Sequence, residues 1–358
     1  MPLFMDFHKI DSDAITEEDL YKAHLRDIAV QNKHGLIYKK YYLDLHRKTA
    51  FCLMEGPNKE ACFESHKEAH GVGACNVIEV SRELEFLPYM GEGGQNEKDL
   101  ALTLSGEIDS GFRTIMIVEY LILQENQNLS AIKITEIIKK YKGNIIKSPS
   151  EKLIISFIDA FDALSCAVAV KEYFRSSDPK PLFGIALSTG KPVDEHSTFL
   201  FEEARAKASV MCRLGLPQGI CIDMGTQLSA SQSLDFSRFD ATDITVLDQY
   251  SYHQLEKLVG IIQKNLNDSA FKGDNLSKAL GLSKTQAYRK ISSLVGMSPN
   301  RFLSELRLLY AAQELKKGGK TVSEIAYDSG FNSPTYFTRM FRKRFEILPN
   351  LINKPKSF

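Results

Sequence analysis

Apolar positions change their period along this chain, and the changes mark its parts. Up to about residue 87, runs rich in Val, Ile, Tyr and Phe at 36–43, 49–54 and 75–80 predict strands. Between them lie helix signals: Thr16 stands as N-cap of a helix over 16–32, with Glu18 and Asp19 in its first turn, and a second helix covers 58–70. With a first strand ending near His8, the order β-α-β-β-α-β predicts a ferredoxin-like sandwich. Residues 88–112 hold Gly91, Gly93, Gly94, Gly106 and Gly111 among polar residues and read as a linker. From 113 to 250 an α+β pattern returns. Strands are predicted at 114–123, 152–158, 183–188 and 219–224, with helices at 161–174 and 202–214. Leu129, Ile132, Ile134, Ile137 and Ile138 keep helical spacing over 128–141. Beyond Gln254 the pattern is helical throughout. The fold class expected is multidomain: two α+β ferredoxin-like domains (1–87 and 113–250), then an all-α domain over 251–358.

Composition narrows the class. The chain has 358 residues, 43% of them hydrophobic and 25% charged, as in ordinary globular proteins. Its apolar runs are far shorter than the ~18 residues of a membrane span. Residues 1–10 lack a basic stretch followed by an apolar core, so no secretion signal is read there. Six scattered cysteines fit reduced thiols, and a cytoplasmic location is expected.

The formal net charge of zero conceals an asymmetry. Residues 253–358 carry 18 Lys and Arg against 8 Asp and Glu, a net of +10, which leaves −10 on residues 1–252. A basic end on an acidic body suits a nucleic-acid module, although a solvated basic surface would give the same count. A repeat decides between them. The stretch from Leu276 to Arg289 and that from Ile325 to Arg339 are two tandem helix-turn-helix signatures. Ser283 and Ser333, Arg289 and Arg339, and Pro299 and Pro349 share one offset.

The repeat assigns faces. Ser283 and Ser333 are placed as N-caps, and Gly281 and Gly330 mark the turns before them. Ala287, Ile291 and Leu294 form one apolar stripe; Phe337, Met340 and Phe341 form the other. The opposite faces leave Lys284, Thr285, Tyr288 and Arg289, and Pro334, Thr335, Thr338 and Arg339, free to meet double-stranded DNA. Residues 300–315 should be the long helix between the halves.

This segment resembles the AraC family of bacterial transcription regulators. The resemblance lies in Gly296-Met297-Ser298-Pro299, Arg307-Leu308-Leu309-Tyr310-Ala311-Ala312, Gly330-Phe331, Tyr336-Phe337-Thr338-Arg339 and Phe341-Arg342-Lys343. It implies two recognition helices in successive major grooves. Thr285, Tyr288, Arg289, Thr335, Thr338 and Arg339 are then the base-reading candidates, and Lys284, Arg342 and Lys343 the phosphate contacts. One departure is Glu346-Ile347-Leu348-Pro349 in place of a closing Gly-x-Ser-Pro, which puts the last turn in doubt.

Six of eight histidines fall in the first seventy residues. His66 and His70, four apart on a predicted helix, share a face, a common way to hold a transition metal. Lys67 excludes the zinc-protease His-Glu-x-x-His pattern. Any one of these histidines alone reads as a satisfied core or surface residue; the set together points to a metal or small ligand. Residues 3–82 resemble small bacterial ferredoxin-like domains, some of which bind nickel and pair as dimers. The matching strings are Met5-Asp6-Phe7-His8, the stretch from Ala23 to Gln31, Phe51-Cys52-Leu53 and His66-Lys67-Glu68-Ala69-His70-Gly71. The resemblance implies that His8, His24, His66 and His70 converge. With Cys52 they form a set suited to nickel, zinc or copper.

Residues 113–235 resemble class III nucleotide cyclases in element order, but Glu119 and Glu151 replace the two metal-binding Asp residues. Ser150 and Lys152 replace the glycines of the hairpin between them. A longer carboxylate and a neighbouring Lys oppose two octahedral Mg²⁺ ions, so no catalysis is expected.

The sequence therefore predicts a DNA-binding transcription regulator, a non-enzyme, responding to a metal or small ligand. A homodimer is expected, with RNA polymerase as a further partner and no membrane contact. The alternative is a nucleotide-binding or cyclase enzyme tethered to DNA.

Overall fold

A computed structural model describes residues 1–71, 73–123, 129–147, 152–178, 180–214, 219–233, 239 and 244–352. The N-terminal unit has strands β1 (Leu3–Lys9), β2 (Ile37–Asp44), β3 (Thr49–Glu55) and β4 (Asn76–Val80), with helices α1 (Glu17–Val30) and α2 (Lys59–His70). Its sheet runs β2-β3-β1-β4, the order of a ferredoxin-like sandwich. Alternation sorts the strand residues onto two faces. Phe4, Ala50, Cys52 and Met54 join the core beneath α1 and α2. Leu3, Met5, Phe7, Phe51 and Leu53 face the other way.

That second face is covered by the middle unit. After α3 (Leu87–Met90), the chain forms β5 (Arg113–Leu121), α4 (Ala131–Lys140), β6 (Asn144–Lys147), β7 (Lys152–Phe157), α5 (Ala160–Ser176) and β8 (Leu182–Gly190). Then follow α6 (Glu202–Leu214), β9 (Ile220–Asp223), α7 (Met224–Ser233) and β10 (Ile244–Leu247). The sheet order is β10-β9-β8-β5-β7-β6. Its β8-β5-β7-β6 portion repeats the order of the first sheet, and β9 and β10 extend it in parallel. Met116 and Val118 pack beneath α4 and α5. Ile115 and Ile117 share one apolar cluster with Phe7 and Leu53 of the first sheet and with Phe201 and Met211. Asn76 donates to the Asp194 and Ser197 carbonyls at 2.7 and 2.9 Å across this junction. The N-terminal sheet thus needs no second copy of the chain to cover its apolar face.

The glycine-rich stretch expected as a linker is packed. Leu100 and Ala101 are fully buried, and Tyr41 on β2 bridges to Leu100. Gly111 meets Phe51 and Tyr42. Asp109 forks onto Arg113, which also donates to the Tyr89 and Met90 carbonyls, so the connector is clamped at the start of β5.

Other differences are local. Ile132, one of the spaced apolar residues of α4, is 73% exposed, so the buried stripe there rests on Ile134 and Ile138. The short strands β6 and β10 and helix α7 carry little hydrophobic periodicity and were not expected. Glu151 lies outside the described residues.

The C-terminal domain is helical: α8 (Gln249–Lys264), α9 (Gly273–Ala279), α10 (Lys284–Val295), α11 (Pro299–Lys317), α12 (Val322–Asp328) and α13 (Pro334–Phe345). Its first half continues the apolar cluster of the middle unit through Leu255, Leu258 and Ile262. Its second half packs on the end of β5 through Leu121. No helix among the described residues is long and apolar enough to cross a membrane.

Candidate metal centre and nucleic-acid interface

The metal candidates sit between the first sheet and its two helices. Asp6 and His8, two apart on β1, point to the helix side, as does Cys52 on β3. His66 and His70 are one turn apart on α2, whose N-cap Asn58 and C-cap Gly71 set its ends. Asp27 comes from the buried stripe of α1. His66 lies at the centre: its Nε2 is 2.6 Å from Asp6 Oδ2 and its Nδ1 is 2.9 Å from Asp27 Oδ1. His8 Nε2 reaches Asp6 at 3.1 Å, and His70 Nε2 is 3.4 Å from Asp27. The Cys52 backbone N–H donates to Asp6 Oδ1 at 2.6 Å.

Two donor groups result, and His66 belongs to both. One is Asp6, His8, Cys52 and His66; the other is Asp27, His66 and His70. Burial would strip the proton from His66, but the Asp6 and Asp27 carboxylates outweigh it and push the imidazolium up to about 10. Burial likewise opposes ionisation of Asp6, yet His8 and His66 hold it well below the usual carboxylate range. Asp27 is lowered too, its burial overcome by hydrogen bonds from His66 and His70. Burial and the nearby Asp6 and Asp27 charges push the Cys52 thiol well up. Two ionised carboxylates around one imidazolium leave the pocket net negative, and imidazole, carboxylate and thiol together suit a first-row transition metal. These residues fit such an ion, which would displace the proton on His66 and that on Cys52.

His24 does not join them. It is buried on α1, and its Nε2 faces Asp99 Oδ2 at 3.4 Å instead of a member of either donor group. It shares the buried face of α1 with Asp27, one turn away, but its ring packs against Tyr38 and Tyr41. The carboxylates Asp6 and Asp27 were missed as ligand candidates. Their signal was present: each stands within three residues of a counted histidine.

In the C-terminal domain, α10 and α13 begin at the expected serines. Ser283 and Gln286 form a capping box, and Ser333 accepts from the Tyr336 N–H. Gly281 and Gly330 take φ of 69° and 74°, the left-handed turns that let each short helix reverse into the next. A side chain at Gly330 would overlap the Leu266 carbonyl and the Arg307 guanidinium. The stripes Ala287 and Ile291, and Phe337 and Phe341, are buried. Lys284, Thr285, Tyr288 and Arg289 are exposed on α10, Tyr288 by 56%. Thr335, Arg339, Arg342 and Lys343 are exposed on α13, and Thr338 is half-buried. Lys284 pairs with Asp274 at 2.6 Å, so its ammonium already has a carboxylate partner. The doubtful last turn is kept: Glu346 closes α13 with φ 62°, its N–H bonding to the Arg342 carbonyl.

Comparison with known proteins agrees with this geometry. A helix-turn-helix domain family matches residues 276–354. The HTH-type transcriptional regulator ExsA of Pseudomonas aeruginosa is 34% identical over 108 residues, 30% of this chain and 38% of that protein. The C-terminal domain is an AraC-type helix-turn-helix domain. Histidine kinase P4 of Formosa agariphila is 36% identical over 96 residues, 27% of this chain but 7% of that protein. The chain therefore spans much less than two thirds of these relatives. At the other end, the family described as nickel responsive protein SCO4226-like matches residues 4–80, and the N-terminal domain is of that kind. The solved structure of SCO4226 from Streptomyces coelicolor is 35% identical, covering 22% of this chain and 94% of that one, with a TM-score of 0.21. Outside both matches, Glu119 on β5 pairs with Lys152 at 2.8 Å, so its carboxylate is already neutralised.

Proposed function

We propose that this chain is a sequence-specific, DNA-binding transcription regulator that senses a transition metal at its N-terminal domain. The observation that supports it most is the pair of recognition helices, each held by a buried apolar stripe and each presenting Thr, Arg and Lys outward. Thr285, Tyr288, Arg289, Thr335, Thr338 and Arg339 read base edges, and Lys284, Arg342 and Lys343 meet phosphates. The basic charge of this end supplies the non-specific attraction.

Nickel is the favoured ion, with zinc and copper as competitors. Either Asp6, His8, Cys52 and His66, or Asp27, His66 and His70, would hold it. A bound ion supplies a fixed positive charge that replaces the His66 proton. The ion shifts the protein toward whichever arrangement binds it better, and through that toward one presentation of the DNA-binding end. The middle unit is a non-catalytic connector in this reading, supported by the Glu119–Lys152 ion pair. The protein works in the cytoplasm, and RNA polymerase is its further partner. A homodimer would form through a surface other than the covered face of the first sheet.

Genome-wide footprinting with and without nickel tests the whole reading. Discrete protected sites whose occupancy changes with nickel are expected. No preference for any genomic fragment over bulk competitor DNA would overturn it. Incubation with ATP or GTP plus Mn²⁺ should give no cyclic nucleotide.

A further inference from the structure

The connector between the two sheets touches the sensor helix α1 at a contact that is poorly satisfied. His24 and Asp99 meet at 3.4 Å, a long hydrogen bond. His24 Nδ1 is buried and has no hydrogen-bond partner among the described residues, and neither has the Tyr41 hydroxyl. The two rings lie 4.8 Å apart. Asp99 itself holds φ 61°, a left-handed backbone that Asp adopts more readily than most residues with a side chain. Two unmet buried polar atoms and a stretched hydrogen bond therefore coincide at one joint. Such features persist only where the surroundings impose them, and they gather at switch regions.

The joint has the metal cluster on one side and the DNA-binding end on the other. Asp27, one turn along α1 from His24, accepts from His66 and lies beside His70. Asp99 belongs to the strip that runs along β2: Tyr41 N–H donates to the Asp99 carbonyl at 3.0 Å, and Ala101 N–H to the Tyr41 carbonyl at 2.8 Å. The Asp109 N–H bonds to the Ala101 carbonyl, and its carboxylate clamps Arg113 at the start of β5. The far end of β5, Leu121, packs in the core of the second helix-turn-helix unit.

We propose that the His24–Asp99 contact is the joint through which occupancy of the metal centre alters the connector. The inference rests on the metal-sensing reading above. An ion that draws Asp27, His66 or His70 into its shell changes what α1 must satisfy, and His24 moves with the same helix. A joint whose polar atoms are unmet can adopt a second arrangement in which they are met. His24 and Asp99 are positioning residues and ligate nothing.

Hydrogen–deuterium exchange on the full chain, with and without nickel chloride, tests it alongside calorimetric nickel titration. In the wild type, nickel should change exchange across residues 95–109 by about threefold or more. Asp99→Asn should bind nickel within about threefold of wild-type affinity, with its exchange response confined to α1, α2 and β1. Asp99→Gly, which accepts the left-handed backbone freely, guards against a folding defect and should behave the same way. A connector that responds in both variants as in wild type overturns the joint, as does a wild type that binds nickel with no response at 95–109. A wild type that binds no nickel overturns the metal-sensing reading, and the joint falls with it.

Discussion

Glu346 ends its recognition helix with the same left-handed backbone that Gly296 uses to end the other, φ 62° against 68°. An L-residue with a side chain is strained there by about 1 kcal/mol, and glycine is not. Glu346→Gly should therefore stabilise the C-terminal domain by roughly 0.5–1 kcal/mol, read as a higher thermal midpoint. A lower midpoint would show that the Glu346 side chain makes a compensating contact.

Arg307, on α11, ties the halves of the same domain together. Its largely buried guanidinium donates to the carbonyls of Leu266, Asp268 and Phe271, beside the Gly330 turn. Arg307→Ala leaves three carbonyls to find new partners and should cost about 2–4 kcal/mol in urea unfolding. A loss below about 0.5 kcal/mol would mean those carbonyls are hydrated in the variant.

Nickel affinity separates the histidines. His66→Ala removes the residue shared by both donor groups and should weaken binding by more than the roughly 10–100-fold typical of an outer-shell change. His24→Gln lies outside the cluster and should leave the affinity within about threefold. Equal losses in the two variants, measured by calorimetry, would place His24 among the ligands after all.

The metal-free protein should lose stability on both sides of neutrality. His66 is raised from its ordinary 6.5 to about 10, so its contribution is complete below pH 6.5 and is lost as pH rises through 10. Asp6 is depressed from 3.8, so its contribution is complete above that value and is lost as pH falls below it. In chelator, the thermal midpoint should decline from pH 6.5 toward 10, and less steeply in Asp6→Asn. A midpoint that climbs across that alkaline range would contradict the buried imidazolium.

On selected DNA sites, Arg289→Ala and Arg339→Ala should each cost about 1–3 kcal/mol and relax base preference. Lys343→Ala should weaken all sequences alike and reduce the salt slope by about one. Asp274→Asn frees Lys284 and should tighten binding a few-fold, roughly 2–5 times at low salt. Base preference unchanged in both arginine variants would remove α10 and α13 from the grooves.

Much of this was legible before any tertiary structure. Strands 36–43, 49–54 and 75–80 fall within a residue of β2, β3 and β4, because alternation in a half-buried strand is a local signal. The serine caps, the turn glycines and the outward residues of α10 and α13 were equally readable, since capping and helical periodicity act within a few residues. The connector was misleading for a physical reason: glycines announce turns, but whether a turn is free or packed depends on what lies opposite, here Tyr41, Phe51 and Arg113.

By itself the sequence determined the three-part order, the two sandwich patterns and the face each recognition helix turns outward, all set by short-range periodicity and capping. Only the tertiary structure decided that His66 stands between Asp6 and Asp27, and that His24 looks instead to Asp99. It alone also seals the two sheets against each other. Those are contacts between residues far apart in the chain, and local pattern carries no record of which distant side chain will meet which.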